Sequence, residues 1–363
     1  MRLFQNSGIY PAYLLRLNRL SATASTFAER RNVFLADRFG AAHFLKPVLE
    51  GDSSTFFTNG DDDLLQRLWA SENGLPAKSE LADILLAQIE AHRSEVFYNL
   101  DPMRYSSDFV RRLPTCVKHK VAWRAAPSPG ADFAAYSLVV CNFPSILDSY
   151  RARGWHAAHL APAHDPVMDD YAANAERPVD VLFVGGYSRH HRRRAEVLEA
   201  VAAHGADLNI VFHLDRSRLT RWAESPLGRL LPLSKHRRPH EICDVSADPV
   251  FGLDLYVALS RAKIVLNGAV DMAGDDRGNM RCFEAMGCGA LMISDTGRYP
   301  EGMVDGQTML SYADASQAVS RIRQALAQPE QVRHIVKRAG EIIRHRYSKA
   351  CQWQDFQRLV QEL

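Results

Sequence analysis

Short apolar runs of strand length alternate with amphipathic stretches along nearly all of this 363-residue chain. In the first half, strands are expected at residues 2–7 (RLFQNS), 95–100 (EVFYNL), 119–124 (HKVAWR), 137–142 (SLVVCN) and 157–162 (AAHLAP). In the second half they are expected at 180–185 (DVLFVG), 208–213 (LNIVFH), 263–268 (KIVLNG) and 290–295 (ALMISD). Between them lie helical patterns such as residues 79–93, where Leu81, Ile84, Leu85, Gln88 and Ile89 recur at helical spacing. Alternation of this kind builds parallel sheets joined by crossover helices, an α/β fold. The polar stretch 169–180 (DDYAANAERPVD) reads as a linker, so the expected domains are 1–170 and 171–350. Trp353, Phe356, Val360 and Leu363 share one face of a last helix, 351–363, expected to pack back on the first domain. Two similar α/β halves suggest a ligand held in a cleft between them.

Composition narrows the function. Apolar residues make up 47% and charged residues 24%, which argues against disorder. A net charge of +2 argues against a surface built throughout for nucleic acid, so any basic function is local. The six cysteines include no CxxC pair and suit reduced thiols. The start (MRLFQNSGIYPAYLL) lacks a signal-peptide layout, and no run has the length of a membrane span. The expected location is cytoplasmic, with contact at the inner face of a membrane left open. The basic patch 234–240 (SKHRRPH) has little aromatic interleaving and reads as a solvated loop, with a surface touching anionic lipid or a lipid-linked acceptor as the alternative.

Residues 179–200 (VDVLFVGGYSRHHRRRAEVLEA) form the first chemical constellation. A β-branched run is expected to end at Gly185 and Gly186. Ser188 then offers a cap for a helix that buries Ala195, Leu198, Val201 and Ala202. Arg189, Arg192, Arg193 and Arg194 crowd the first turn, where the helix dipole is already positive. A bound phosphate or diphosphate resolves that conflict, since backbone N–H groups and guanidinium forks both suit its oxygens. The alternative is an exposed basic turn. The pattern is neither a P-loop nor GxGxxG.

The second constellation spans 267–303, where a strand enters a loop rich in Gly, Asp and Asn and a helix follows near 280–287. Glu284 could accept both hydroxyls of a ribose, or merely pair with Arg281 at i, i+3. Gly287 and Gly289 would permit close backbone approach. Among candidates for proton transfer, Asp101 follows a strand directly, where open α/β sheets place ligands, and His164 and Asp165 lie near the crossover. Each could equally be an ordinary polar cap. His119 and His213 carry weaker signals. The acidic run 61–63 reads as the start of a helix rather than a metal site, and Asp275 and Asp276 fall in the second constellation's loop.

Asn279, Arg281, Phe283, Glu284 and Gly289, followed by LMISD, resemble the "N-x-R-x-FE-x-x-x-x-G" signature of GT-B-fold glycosyltransferases, particularly the spore maturation protein B-like (CgeB-like) group of the group 1 family. The resemblance covers about residues 178–350, including FVGGYSRHHR, and is architectural over 1–170. It implies two Rossmann-like domains facing each other across a cleft, with an acceptor-binding domain first and a donor-binding domain second. It implies a glycosyltransferase that moves a sugar from a nucleotide diphosphate donor to an acceptor hydroxyl in glycan or glycoconjugate synthesis, without metal or other cofactor. Glu284 would hold the ribose; Asn279, Arg281 and the turn from Gly186 to Arg193 would face the diphosphate. Gly185, Tyr187, Arg189, His213 and Phe283 complete the expected donor contacts. Asp276, eight positions before Glu284, stands where many retaining members carry a glutamate, and joins Asp101 and His164 as a catalytic candidate. The acceptor would be a saccharide, a lipid-linked saccharide or another glycan, and no nucleic-acid partner is expected. The rival readings are a non-catalytic nucleotide-sugar-binding module and a sugar-nucleotide epimerase.

Overall fold

The computed structural model describes residues 1–188, 191–268 and 273–363. The chain divides into two compact units. The first comprises Met1–Ala163, Phe251–Leu253 and Tyr347–Leu363; the second comprises His164–Val250 and Asp254–Arg346.

The first unit holds strands β1 (Leu3–Ser7), β2 (Thr55–Asn59), β3 (Val96–Asn99), β4 (His119–Trp123), β5 (Leu138–Cys141) and β6 (Ala157–His159). They form one parallel sheet in the order β2-β1-β3-β4-β5-β6. Leu3, Val96, Tyr98, Val121, Leu138 and Val140 pack in a core with Phe34, Phe57 and Phe356. Phe356 comes from the last helix, Lys349–Gln361, and lies 4.9 Å from Tyr98 between ring centroids. The same helix is anchored by Lys349, whose buried Nζ donates to the carbonyls of Ala41 (2.6 Å) and Phe44 (2.8 Å).

The second unit holds β7 (Val179–Gly186), β8 (Ile210–Asp215), β9 (Ser246–Ala247), β10 (Ala262–Leu266), β11 (Leu291–Asp295) and β12 (Leu310–Tyr312). These also pair in parallel, in the order β12-β11-β10-β7-β8-β9. Counted from β7, that is the 3-2-1-4-5-6 order of a dinucleotide-binding sheet. Val181, Phe183, Phe212, Ile264, Leu266 and Ile293 form its core with Leu198, Val201 and Ile322 from flanking helices.

The structure corrects several local expectations. Gly185 and Gly186 do not end the strand: they pair with Leu214 and Asp215, because β8 runs far enough to extend the ladder over them. A Cβ at Gly185 would come 3.0 Å from the Phe183 ring, so glycine is needed there for packing. Ser188 is not the cap of the following helix, which runs Arg192–Ala202 with His191 at the N-cap position and no side-chain cap bond. Ala195, Leu198, Val201 and Ala202 are buried on it as expected, with Val197. The stretch 169–180 is not all linker, since it holds most of a short helix, Met168–Ala172, and the start of β7. Strands β2, β9 and β12 were not expected. Arg237 and Arg238 are not solvated loop cations: Arg237 donates to three backbone carbonyls, and Arg238 pairs with Glu224 at 2.7 Å.

Candidate functional site

Each sheet reverses its strand order at one point, and each unit carries a cavity at the carboxyl ends of its strands. Crevices at such points are where open α/β sheets hold ligands.

In the second unit the reversal falls between β7 and β10. A cavity of about 150 Å³ is lined there by Arg193 and Arg194, Gly268 after β10, Asp295 and Thr296 at the end of β11, and Tyr312 at the end of β12. Arg277 and Asp314 also line it. Arg192, Arg193 and Arg194 begin their helix, and its first turn holds no acidic residue. Positive side chains thus sit on the positive end of a helix dipole, an arrangement that favours a bound anion. Gly268 makes room for it: a Cβ there would lie 3.3 Å from the Tyr312 hydroxyl and 3.5 Å from Arg194 Cδ. The mostly buried Arg277 pairs with Asp295 at 2.7 Å. Tyr312 is fixed by donating its hydroxyl to the Asn267 carbonyl at 2.7 Å.

Behind this cavity, Asn279 stands at the N-cap position of the helix Met280–Gly287. Its Nδ2 donates to Asn267 Oδ1 (3.2 Å), and Asn267 Nδ2 donates to Ser294 Oγ (3.1 Å). These amides tie the ends of β10 and β11 to the helix start. On the same helix Phe283 is fully buried, and Glu284 Oε2 accepts from Arg281 Nη1 at 2.6 Å. The i, i+3 pair is therefore formed. Glu284 Oε1 has no hydrogen-bond partner among the described residues, although the side chain is only 7% exposed. That oxygen is open to accept a hydrogen bond from a ligand hydroxyl.

The other expected residues are placed differently. Asp276 is buried with its Oδ1 held by Arg298 Nε at 2.5 Å, which occupies it with a protein partner. His164 is buried, its Nε2 within 3.1 Å of Asp169 Oδ1, and burial lowers its pKa. A Cβ at Gly287 would come 3.0 Å from His164 Nδ1, so this imidazole fills a packed helix contact. Asp165 accepts from Tyr256 at 3.2 Å. His213 Nδ1 donates to the Asp248 carbonyl at 2.6 Å and ties β8 to the segment after β9. Tyr187 bonds Glu199 at 2.5 Å. Gly185 and Gly186 are strand residues, and Arg189 lies outside the described residues.

In the first unit the reversal falls between β1 and β3. A cavity of about 810 Å³ is lined by Gly8 and Tyr10 after β1, Asp61 after β2, Asp101 and Arg104 after β3, Trp123 at the end of β4, and His43. Asn6 and Asn99, both fully buried, join β1 to β3 (Nδ2 to Oδ1, 2.8 Å). Asn99 Oδ1 also accepts from the Asp101 backbone N–H at 3.0 Å, which positions that residue. Asp61 accepts from the Ile9 N–H with both oxygens, at 2.9 and 3.0 Å. Burial raises the Asp61 pKa to about 6; the Ile9 N–H opposes the rise, and the nearby Asp101 adds to it. Burial also raises Asp101, while Arg104, 3.5 Å away, opposes the rise. The His43 ring packs tilted against Trp123, with centroids 4.3 Å apart, and burial holds its pKa down to about 3.

Sequence reasoning named Asp101 as a candidate and not Asp61, which lines the same cavity. The DDD run was read as a helix start, and a helix does begin at Asp63. Yet Asp62 pairs with buried Arg30 and Asp61 turns to the cavity. One signal was available: helix Asp63–Glu72 needs only one or two acids at its start, and the run has three.

Residues 189–358 match a family model described as glycosyl transferase-like. No curated protein sequence matches the chain. Among solved structures, the chain is similar to Anabaena HepE in complex with UDP-glucose (TM-score 0.55, 12% identity, 99% of each chain covered). It is similar to a glycosyltransferase from Rickettsia africae (TM-score 0.54, 10% identity, 99% of this chain and 97% of that one). It is also similar to sucrose-phosphate synthase from Thermosynechococcus elongatus (TM-score 0.54, 13% identity, 99% and 98%). Likeness at these identities establishes the fold.

Proposed function

We propose, starting from a chain that has the GT-B fold and is glycosyl transferase-like over residues 189–358, that it transfers a hexosyl or related group from a nucleoside diphosphate sugar to an acceptor hydroxyl in glycan synthesis. The observation that carries this reading is the cavity at the strand-order reversal of the second unit, where Arg193 and Arg194 sit on the first turn of a helix beside Gly268. Arg193, Arg194 and Arg277 receive the diphosphate there. They stabilise the departing nucleoside diphosphate, where negative charge grows in the transition state. Glu284, oriented by Arg281, accepts a ribose hydroxyl through Oε1. HepE, similar in fold, was solved with UDP-glucose, which supports a uridine nucleotide as the first donor to test. The Asn279–Glu284 motif supports placement in the spore maturation protein B-like group.

The acceptor occupies the first unit's cavity, where the exposed Tyr10 offers an aromatic face to a sugar ring. Asp61 and Asp101 share that cavity, and a carboxylate of pKa about 6 is suited to take a hydroxyl proton near neutral pH. Arginines and a helix start supply the positive charge for the leaving group, so the transfer proceeds without metal.

The test is to incubate the protein with nucleotide sugars and a panel of saccharide acceptors and to follow nucleoside diphosphate release and product mass. Acceptor-dependent release with a matching mass gain is expected. Tight nucleotide binding with no product from any acceptor would make it a binding module, and donor isomerisation without acceptor would make it an epimerase.

A further inference from the structure

The crossover between β8 and β9 carries a feature that the transfer reaction does not use. Residues 216–240 hold seven Lys and Arg against one Glu, in a chain whose net charge is only +2. The segment folds into two short helices, Arg218–Glu224 and Pro226–Arg229, and a turn at Ser234–His236. Its interior is built from polar bonds. Arg237 donates to the carbonyls of Ala223 (3.1 Å), Gly228 (2.8 Å) and Leu231 (2.7 Å), and Arg238 grips Glu224 at 2.7 and 2.9 Å. A Cβ at Gly228 would overlap the Trp222 carbonyl, so the two helices are held tightly together.

This scaffold displays its apolar side chains to water. Leu227 is 74% exposed, Leu230 84% and Trp222 50%, and Leu219 and Leu231 are exposed as well. Arg218 and Arg221 are exposed beside them, with no ion pair among the described residues. The only acidic side chain of the segment is spent on Arg238. Scattered single leucines on a surface need no explanation, but five large apolar residues within thirteen positions do.

We propose that this crossover docks the protein on an anionic lipid bilayer. A tryptophan and four leucines suit the boundary between headgroups and acyl chains, and adjacent free guanidinium groups suit acidic headgroups. Charge complementarity selects the occupant. A zwitterionic surface would leave the cations unanswered, and a nucleic acid would leave the leucines unanswered, since its bases stack on aromatic rings and the segment has one.

The test is sedimentation of the full chain with vesicles of phosphatidylcholine alone and with phosphatidylglycerol added. Binding to the anionic vesicles alone is expected, weakening as salt rises. Two surface variants separate the contributions: Leu227→Ser with Leu230→Ser, and Arg218→Ala with Arg221→Ala. Each is expected to weaken vesicle binding about tenfold or more, with an unchanged thermal melt. Should the leucine variant fail to fold, the arginine variant and the loss of a vesicle-induced fluorescence change in Trp222→Phe carry the test. No binding to anionic vesicles, or equal binding by wild type and variants, overturns the proposal. So does binding to polyuridylate that the leucine variant retains in full while vesicles are ignored.

Discussion

Asp61 and Asp101, which follow strands β2 and β3 on either side of β1, line one cavity, and burial raises the carboxyl pKa of both. The sheet order explains why they meet. β1 lies between β2 and β3, so residues forty positions apart in sequence converge on the loop that follows β1. The Ile9 N–H from that loop holds Asp61, and Asn99 holds the backbone of Asp101.

If Asp61 takes the acceptor proton, it must be ionised to act. Transfer under subsaturating acceptor is then expected to rise with pH through about 6, the raised value for this carboxyl. Asp61→Asn should lower turnover by about a hundredfold or more and remove that limb of the profile. The same group affects stability with a definite sign. Its proton is bound more tightly folded than unfolded, so its contribution falls as pH rises from about 4 to about 6. Denaturant titrations of wild type and Asp61→Asn across that window check it.

Glu284 has one oxygen on Arg281 and one without a donor among the described residues. Glu284→Gln keeps the size of the side chain and weakens acceptance of a ribose hydroxyl. Donor affinity is expected to fall about tenfold, by the strength of one charge-assisted hydrogen bond. Calorimetric titration with the nucleoside diphosphate checks this, and equal affinity in the variant would sink the ribose assignment.

Arg30 and Asp62 form a fully buried ion pair at 2.6 Å, with Arg30 also donating to Ser21 and Asn18. Removing one partner leaves the other charged and desolvated. Arg30→Ala is expected to cost about 3–5 kcal/mol of unfolding free energy, read from urea denaturation. A loss under 1 kcal/mol would mean that the buried pair contributes little to stability.

A transfer that relies on arginines for the leaving group needs no divalent cation. Turnover is expected to be unchanged after exhaustive treatment with EDTA. A loss restored by added magnesium or manganese would assign charge neutralisation to a metal instead.

Much of the fold could be read from the sequence because a parallel sheet buries both faces of its strands, and buried strands appear as continuous apolar runs. LVVC of β5 and KIVL of β10 are of that kind. The strands not foreseen lack the signal: β9 has two residues, β12 three, and β2 is TFFTN, flanked by polar residues. At β7 the glycine pair read as a stop because local propensity cannot see the partner strand that extends it. The candidate site divides in the same way. Asp101 was visible because it directly follows a strand, whereas Asp61, His43 and Trp123 become neighbours only through strand order. The burial of His164 and the Arg298 partner of Asp276 are likewise non-local facts.

The most direct measurement of the central claim is a thermal-shift series with UDP, GDP, CDP and dTDP, on the wild type and on Glu284→Gln. A ligand that binds only the native state raises Tm by an amount set by its concentration relative to Kd. The account expects one nucleotide to raise the Tm of the wild type in a saturating manner, and the shift to shrink in the variant. No shift with any of the four would contradict it, and the arginines of the second unit would then answer to some other anion.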